Sequence, residues 1–206
     1  RQRFDAECLI EEFMLAANEC VAETMTWLDV PFIYRVHEEP ADDKISKLMI
    51  MVNNFGYDYK LKGQKGVAKL LQKILKDHDL NEVGLSQEDI TRRGIVNKAL
   101  IRTMAKAKYQ ETNIGHFGLG SKCYTHFTSP IRRYPDLLVH RLIKEFMFNE
   151  TFVNVSDKVS FYNSKVNAAG VNSSKTERIA EKLERDATDY KKCEYMEKFI
   201  GRVFTG

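Results

Sequence analysis

Residues 124–141 read Tyr-Thr-His-Phe-Thr-Ser-Pro-Ile-Arg-Arg-Tyr-Pro-Asp-Leu-Leu-Val-His-Arg, and they constrain the fold more tightly than any other segment. Ser129 followed by Pro130 predicts a helix start. The hydroxyl can accept from free backbone N–H groups, and proline suits a first helical position whose N–H would be unpaired anyway. The helix is expected to run to about residue 148, with Ile131, Leu138, Leu142 and Phe146 inward and Pro135 bending it. Arg132 and Arg133 then fall in the first turn, at the positive end of the helix dipole, where a cation is disfavoured by about 0.3 kcal/mol or more. A negative third party is the expected reason. Helix N-termini collect phosphates, a guanidinium fork matches phosphate oxygens, and Thr125, Thr128 and Ser129 add hydroxyl donors nearby. The competing reading pairs both arginines with Asp136, at i+4 and i+3, an exposed arrangement worth less than about 1 kcal/mol.

The preceding segment breaks helical periodicity. Over residues 107–128, Gly115, Gly118 and Gly120 alternate with His116, Phe117, Tyr124, His126 and Phe127, which predicts paired or extended strands. Upstream, Ile10, Phe13 or Met14, Ala17, Val21, Met25 and Leu28 recur at helical spacing. They predict an amphipathic helix over 5–28, capped by Asp5 and stapled by Phe4 against Leu9. Pro31 ends it, and residues 32–36 read as a short strand. Helices are expected over 41–54, 65–77 and 86–105, with turn signals at 53–56, at Lys62-Gly63 and at Gly84. After a polar stretch at 149–157, a helix is expected from near Ser156, which Gly170 and Asn172 interrupt or follow with a turn. Ser174-x-x-Glu177 has capping-box spacing for a last helix through about residue 199. The fold class expected is α+β, mainly helical with a few short strands.

Hydrophobic residues make up 43% of the chain, enough for a real core, and no apolar run approaches the roughly 20 residues of a membrane span. Cys8, Cys20, Cys123 and Cys193 show no Cys-x-x-Cys pairing. Cys8 and Cys20 would lie about 18 Å apart on one helix, beyond disulfide reach. Scattered thiols suit a reducing cytoplasm and argue against a zinc site. The start, Arg1-Gln-Arg-Phe-Asp5, has neither an initiator methionine nor a signal-peptide pattern, so a piece of a longer polypeptide is expected.

Net charge is only +3, yet residues 92–141 hold ten Lys/Arg (Arg92, Arg93, Lys98, Arg102, Lys106, Lys108, Lys122, Arg132, Arg133, Arg141) against Glu111 and Asp136. That local +8 leaves −5 for the other 156 residues, a concentration that fits a polyanion or, equally, a solvated basic face. Tyr109, Phe117, Tyr124, Phe127 and Tyr134 could stack bases, at about 1–3 kcal/mol each, or belong to the core. His116, His126 and His140 lack metal-ligand spacing and read as structural. Glu11 and Asn18 share one face of the first helix and Glu12 and Glu19 the next, where a solvated acidic surface is the plain explanation. Asp42-Asp43 suits a helix start, and Glu184 falls mid-helix with a surface role as default. Nowhere do three or four acids cluster as a two-magnesium phosphodiesterase site requires, and no metal ligand is assigned.

Taken together, the stretches 114–119 (Ile-Gly-His-Phe-Gly-Leu), 124–137 and His140-Arg141 resemble the most distinctive catalytic-domain segment of the ribonuclease II / ribonuclease R family of processive exoribonucleases. Residues 10–18 (Ile-Glu-Glu-Phe-Met-Leu-Ala-Ala-Asn) resemble its earlier helix, and 100–109 its intervening stretch. Leu183-Glu-Arg-Asp186 and Gly201-Arg-Val-Phe-Thr-Gly206 resemble the end of the catalytic domain and the start of an OB-type RNA-binding barrel. The resemblance covers nearly the whole chain in the right order, and Arg133-Tyr-Pro-Asp136 leans toward the ribonuclease R branch.

The resemblance implies that residues 1–200 are the C-terminal part of a ribonuclease II-type catalytic domain and 201–206 the first strand of a barrel. It implies hydrolysis of single-stranded RNA from its 3′ end to nucleoside 5′-monophosphates, in the cytoplasm. Magnesium would be held by an aspartate cluster expected upstream of the first helix and absent here. By the resemblance, Arg132 would hold or polarise the phosphate, Arg133 would assist, and Glu184 would position the terminal nucleotide. Glu11, Glu12, Asn18, Arg102, Tyr109, His116, Tyr124, Thr128 and Ser129 would contact RNA, and the lysines of 92–122 would set salt-dependent affinity. The sequence does not identify protein partners. Two other readings stay open: a non-catalytic RNA-binding protein that kept the phosphate grip, and a site for a small phosphate-containing ligand.

Overall fold

The computed structural model describes residues 4–59, 66–78, 84–149 and 155–204. The Lys62-Gly63 turn, much of the polar stretch after 149 and the end of the expected barrel strand lie outside these. The chain divides into two compact units, the first formed by Arg1–Arg35, Lys108–Asn113 and Tyr124–Gly206, the second by Val36–Ala107 and Ile114–Cys123. As the sequence predicts, the described residues are mainly helical, with one two-stranded sheet. Among them no helix is long and apolar enough to cross a membrane. None of Cys8, Cys20, Cys123 and Cys193 forms a disulfide.

In the first unit, α1 spans Asp5–Trp27. The Glu7 carboxylate, rather than Asp5, caps it, accepting the Phe4 N–H at 3.3 Å. Phe4 and Leu9 are 62% and 55% exposed, so no staple closes the end. Only its C-terminal part buries side chains (Asn18, Ala22 and Met25), while Ile10, Phe13, Met14 and Leu28 of the expected apolar stripe are exposed. Periodicity tells which residues share a face, not whether that face has a partner. β1 (Tyr34–Val36) pairs with β2 (Lys108–Gln110).

Two expectations about the later helices need correction. First, α5 spans Tyr134–Ile143, starting well after the Ser129-Pro130 signal. Pro135 falls in its first turn, where no N–H is missed, and so starts the helix instead of bending it. Residues 129–133 form a turn before it, in which the Ser129 carbonyl accepts the N–H groups of Arg132 (3.3 Å) and Arg133 (3.1 Å). Leu138 and Leu142 are fully buried as expected, but Ile131 is fully exposed. A wider π turn, Lys144–Phe148, finishes the helix.

Second, α6 is one continuous helix, Val155–Met196, of 42 residues. Gly170 does not break it, because that glycine serves packing: a Cβ there would sit 3.1 Å from the Tyr109 carbonyl oxygen. Ser174 and Glu177 are not a cap. Ser174 Oγ donates to the Gly170 carbonyl at 2.8 Å and accepts the Tyr109 N–H at 2.9 Å. Glu177 accepts both arms of Arg35, at 2.6 and 2.9 Å, and the guanidinium lies 4.5 Å from the Tyr109 ring centre. The i, i+3 spacing of a capping box also places two residues on one helix face, and here that face docks β1 and β2.

The second unit holds α2 (Asp42–Asn54), α3 (Val67–Asp77) and α4 (Gln87–Thr103), close to their expected bounds. Asp42 and Asp43 occupy the first turn of α2, and Ser86 caps α4 by accepting the Asp89 N–H at 3.1 Å. Ile45, Leu48, Val52, Tyr59, Val67, Leu70, Leu71, Ile74, Val96 and Leu100 form one core cluster. Of the stretch expected to be paired or extended, Lys108–Gln110 is the paired strand β2, and only the glycine-rich part around residues 115–121 is a turn. The His37 N–H donates to the Gly115 carbonyl, the Phe117 N–H donates to the His37 carbonyl, and Gly115 has φ +78°, close against the Ser121 carbonyl.

Candidate functional site

Within the first unit the extended segment 124–129 is fastened nearly residue by residue. The Tyr124 carbonyl accepts the Arg35 N–H at 2.9 Å, and Thr125 Oγ1 donates to the Ile33 carbonyl at 2.7 Å. His126 Nδ1 and the Tyr109 hydroxyl are 2.7 Å apart. Asn18 Oδ1 accepts the Phe127 N–H at 2.9 Å, and Asn18 Nδ2 donates to the Tyr124 hydroxyl at 3.0 Å. The Phe127 carbonyl accepts from His140 Nε2 at 3.0 Å, and the two rings stack with centres 4.3 Å apart. His126 and His140 are therefore structural, as their spacing suggested. The Ser129 N–H donates to Asp136 Oδ1 at 2.8 Å. A segment fastened at every residue but Thr128 can carry a side chain into solvent without being reshaped itself.

The two arginines divide between the two readings open from the sequence. Arg133 Nη2 donates to Asp136 Oδ1 at 2.7 Å, and Asp136 is fully buried. The Arg132 side chain is exposed and its guanidinium has no hydrogen bond or ion pair among the described residues. Three further polar atoms of the same turn, Thr128 Oγ1, Arg133 Nε and Asp136 Oδ2, are buried without a hydrogen-bond partner among the described residues. The turn thus presents one uncommitted guanidinium next to one that is internally neutralised.

The remaining sequence candidates fall into three groups. Asn18, Tyr109 and Tyr124 are buried among the residues of the 124–127 segment, and both ends of the Asn18 amide bond within the protein. The two tyrosine rings belong to the core. Burial pushes the Tyr109 phenol up to about 12 against the opposing Arg35 cation, and it raises Tyr124 against the Asn18 hydrogen bond. Glu11 and Glu12 are exposed on the N-terminal half of α1, and Glu184 on the C-terminal half of α6, where residues 178–196 are exposed on every face. No bond among the described residues ties Glu12 or Glu184 to the arginine turn. His116 and Arg102 belong to the second unit. His116 Nδ1 accepts the Leu119 N–H at 3.2 Å and its ring stacks on His37, with centres 5.1 Å apart. Arg102 is exposed along a groove that Lys44, Lys47 and Lys98 also line, over Leu48, Met51, Ile95 and Ala99.

Sequence reasoning treated Asp136 as a surface partner and missed its role as a buried anchor. The available signal was an acid directly before the apolar run Leu137-Leu-Val139. Among the described residues no three His, Cys, Asp or Glu side chains come together as a metal ion needs. Asp136 already holds a guanidinium and an N–H, and the described residues offer no ligand set for the magnesium that the resemblance implies.

The family model described as the RNB domain matches residues 1–149. The chain belongs to the RNB family. It is 41% identical over 206 residues to ribonuclease R of Thermotoga maritima, covering 99% of this chain and 27% of that protein. The RNB chain thus spans about a quarter of the length of the curated relatives it matches. Its fold is similar to Mycoplasma genitalium RNase R in complex with double-stranded RNA, with TM-score 0.83 and 30% identity over 100% of this chain and 35% of that one. For the same enzyme in complex with ribose methylated single-stranded RNA the TM-score is 0.80 at 30% identity, over 98% and 30% of the two chains. The kinship read from residues 114–141 is borne out, on the ribonuclease R side. The family match stops before α6, whereas the likeness in fold extends across it.

Proposed function

We propose that this RNB chain is part of a cytoplasmic 3′-to-5′ hydrolytic exoribonuclease that acts on single-stranded RNA and releases nucleoside 5′-monophosphates. The observation that carries the reading is Arg132, an exposed guanidinium without a partner among the described residues, on a turn whose Ser129 and Arg133 are both tied to Asp136. A phosphodiester transition state gathers negative charge on its oxygens, and a pre-placed cation stabilises that charge more than it stabilises bound substrate. Arg132 contacts the scissile-region phosphate, Arg133 assists from the same turn, and Thr128 and Ser129 flank the strand. Glu184 is assigned to the terminal nucleotide, and Glu11, Glu12, Arg102 and His116 to the RNA path, by family resemblance. Magnesium enters this proposal as an ion held by carboxylates outside this chain.

The test uses a polypeptide of the relatives' full length that carries this chain, with a 5′-labelled single-stranded oligonucleotide. The reading expects a ladder shortening from the 3′ end and nucleoside 5′-monophosphates as products. Binding without any shortened product would favour the non-catalytic RNA-binding protein. A mononucleotide that competes as strongly as the oligonucleotide would favour a small-ligand site.

A further inference from the structure

The turn that carries Arg132 is held from within by a carboxylate to which the proposed function gives no part. Asp136 is 0% exposed, and its Oδ1 alone accepts both the Ser129 N–H and Arg133 Nη2. The Ser129 carbonyl in turn accepts the N–H groups of Arg132 and Arg133. A backbone donor, a backbone acceptor and a guanidinium therefore close a ring around residue 132 with Asp136 at its centre. A buried ion pair is a poor route to stability, because well-packed apolar residues of similar volume often do as well. Here the pair also leaves Asp136 Oδ2 and Arg133 Nε buried and unpartnered among the described residues. A charged centre kept with such incomplete satisfaction points to a demand for geometry.

We propose that Asp136 is a positioning residue for Arg132: it fixes Ser129 and Arg133, the two residues that frame residue 132, and Arg133 serves this carboxylate before it serves RNA. This rests on the reading of Arg132 given above. An arginine on a loose turn must be ordered during the reaction, and a displacement of about 1 Å at a charge-stabilising group can cost about 10²-fold in rate.

The experiment is a mutant cycle in the full-length enzyme, read as single-turnover cleavage at saturating RNA and, separately, as RNA affinity. Asp136→Asn keeps the shape and an acceptor for the Ser129 N–H while removing the charge. It should lower the cleavage rate by about 10²-fold and change affinity by less than about threefold. Combined with Arg132→Ala it should be no slower than Arg132→Ala alone, because a residue that acts through Arg132 has nothing left to position. A general loss of folding would instead multiply the two defects, and that outcome overturns the inference. If Asp136→Asn is as fast as wild type while Arg132→Ala is slow, the positioning role fails and the reading of Arg132 stands. If Arg132→Ala is itself as fast as wild type, the parent reading falls. Should Asp136→Asn not fold, Arg133→Gln enters the same cycle from the partly exposed end of the pair, with non-additivity supporting the inference and multiplication overturning it.

Discussion

Asn18 bridges Tyr124 and Phe127 from a helix more than one hundred residues away in sequence, at 3% exposure. Asn18→Ala leaves the Phe127 N–H without its acceptor, and an unsatisfied buried donor costs about 1–3 kcal/mol. Denaturant unfolding should show that loss, and a change under about 0.5 kcal/mol would contradict the fastening described for residues 124–129. At this scale the sequence was partly legible. It singled out residues 124–136 and the arginine pair, but it placed Asn18 on a surface with Glu11 and read Asp136 as a solvated partner. Both misplacements have one cause. Helical spacing assigns residues to faces, whereas burial depends on partners distant in sequence, such as Tyr124 for Asn18.

Two predictions belong to elements. Gly170 lets α6 approach β2, and Gly170→Ala would press a methyl against the Tyr109 carbonyl, a backbone atom that cannot swing aside. The expected loss is about 1–3 kcal/mol, although alanine is the better helix former. An unchanged or raised melting temperature would show that the contact gives way. In the second unit His78, at the end of α3, is 0% exposed with Nδ1 unpartnered among the described residues. Burial lowers its pKa from 6.5, Arg93 lowers it further, and Asp77 opposes them. Below 6.5 the unfolded chain takes up a proton that the folded one resists. The stability from this residue is therefore complete above that pH and falls as the pH drops, by at most about 1.4 kcal/mol per pH unit. His78→Gln should flatten the difference in melting between about pH 7.5 and pH 5.5, and an undiminished difference would contradict the assignment. Elements with their own local signals, α2, α3 and α4, were legible almost to the residue. Gly170 and the Ser174/Glu177 pair were misread because a glycine and a Ser-x-x-Glu spacing serve packing on a helix face as readily as they serve a helix end.

At the scale of the molecule, membership of the RNB family was legible because a long run of distinctive residues carries it, from Tyr124 to Asp136. How the chemistry is shared out was not, since the chain spans about a quarter of its curated relatives and its described residues gather no metal-ligand set. The isolated 206-residue chain is therefore expected to bind RNA weakly and to hydrolyse it negligibly, and magnesium-dependent degradation by it alone would overturn that division. The central claim is that Arg132 stabilises the transition state and does not merely hold RNA. Its most direct test is single-turnover cleavage by full-length Arg132→Ala at saturating RNA, set beside its RNA dissociation constant. The account predicts a rate lower by about 10²–10³-fold with affinity within a few-fold of wild type. Equal losses in rate and affinity, or a rate that does not fall, would contradict it.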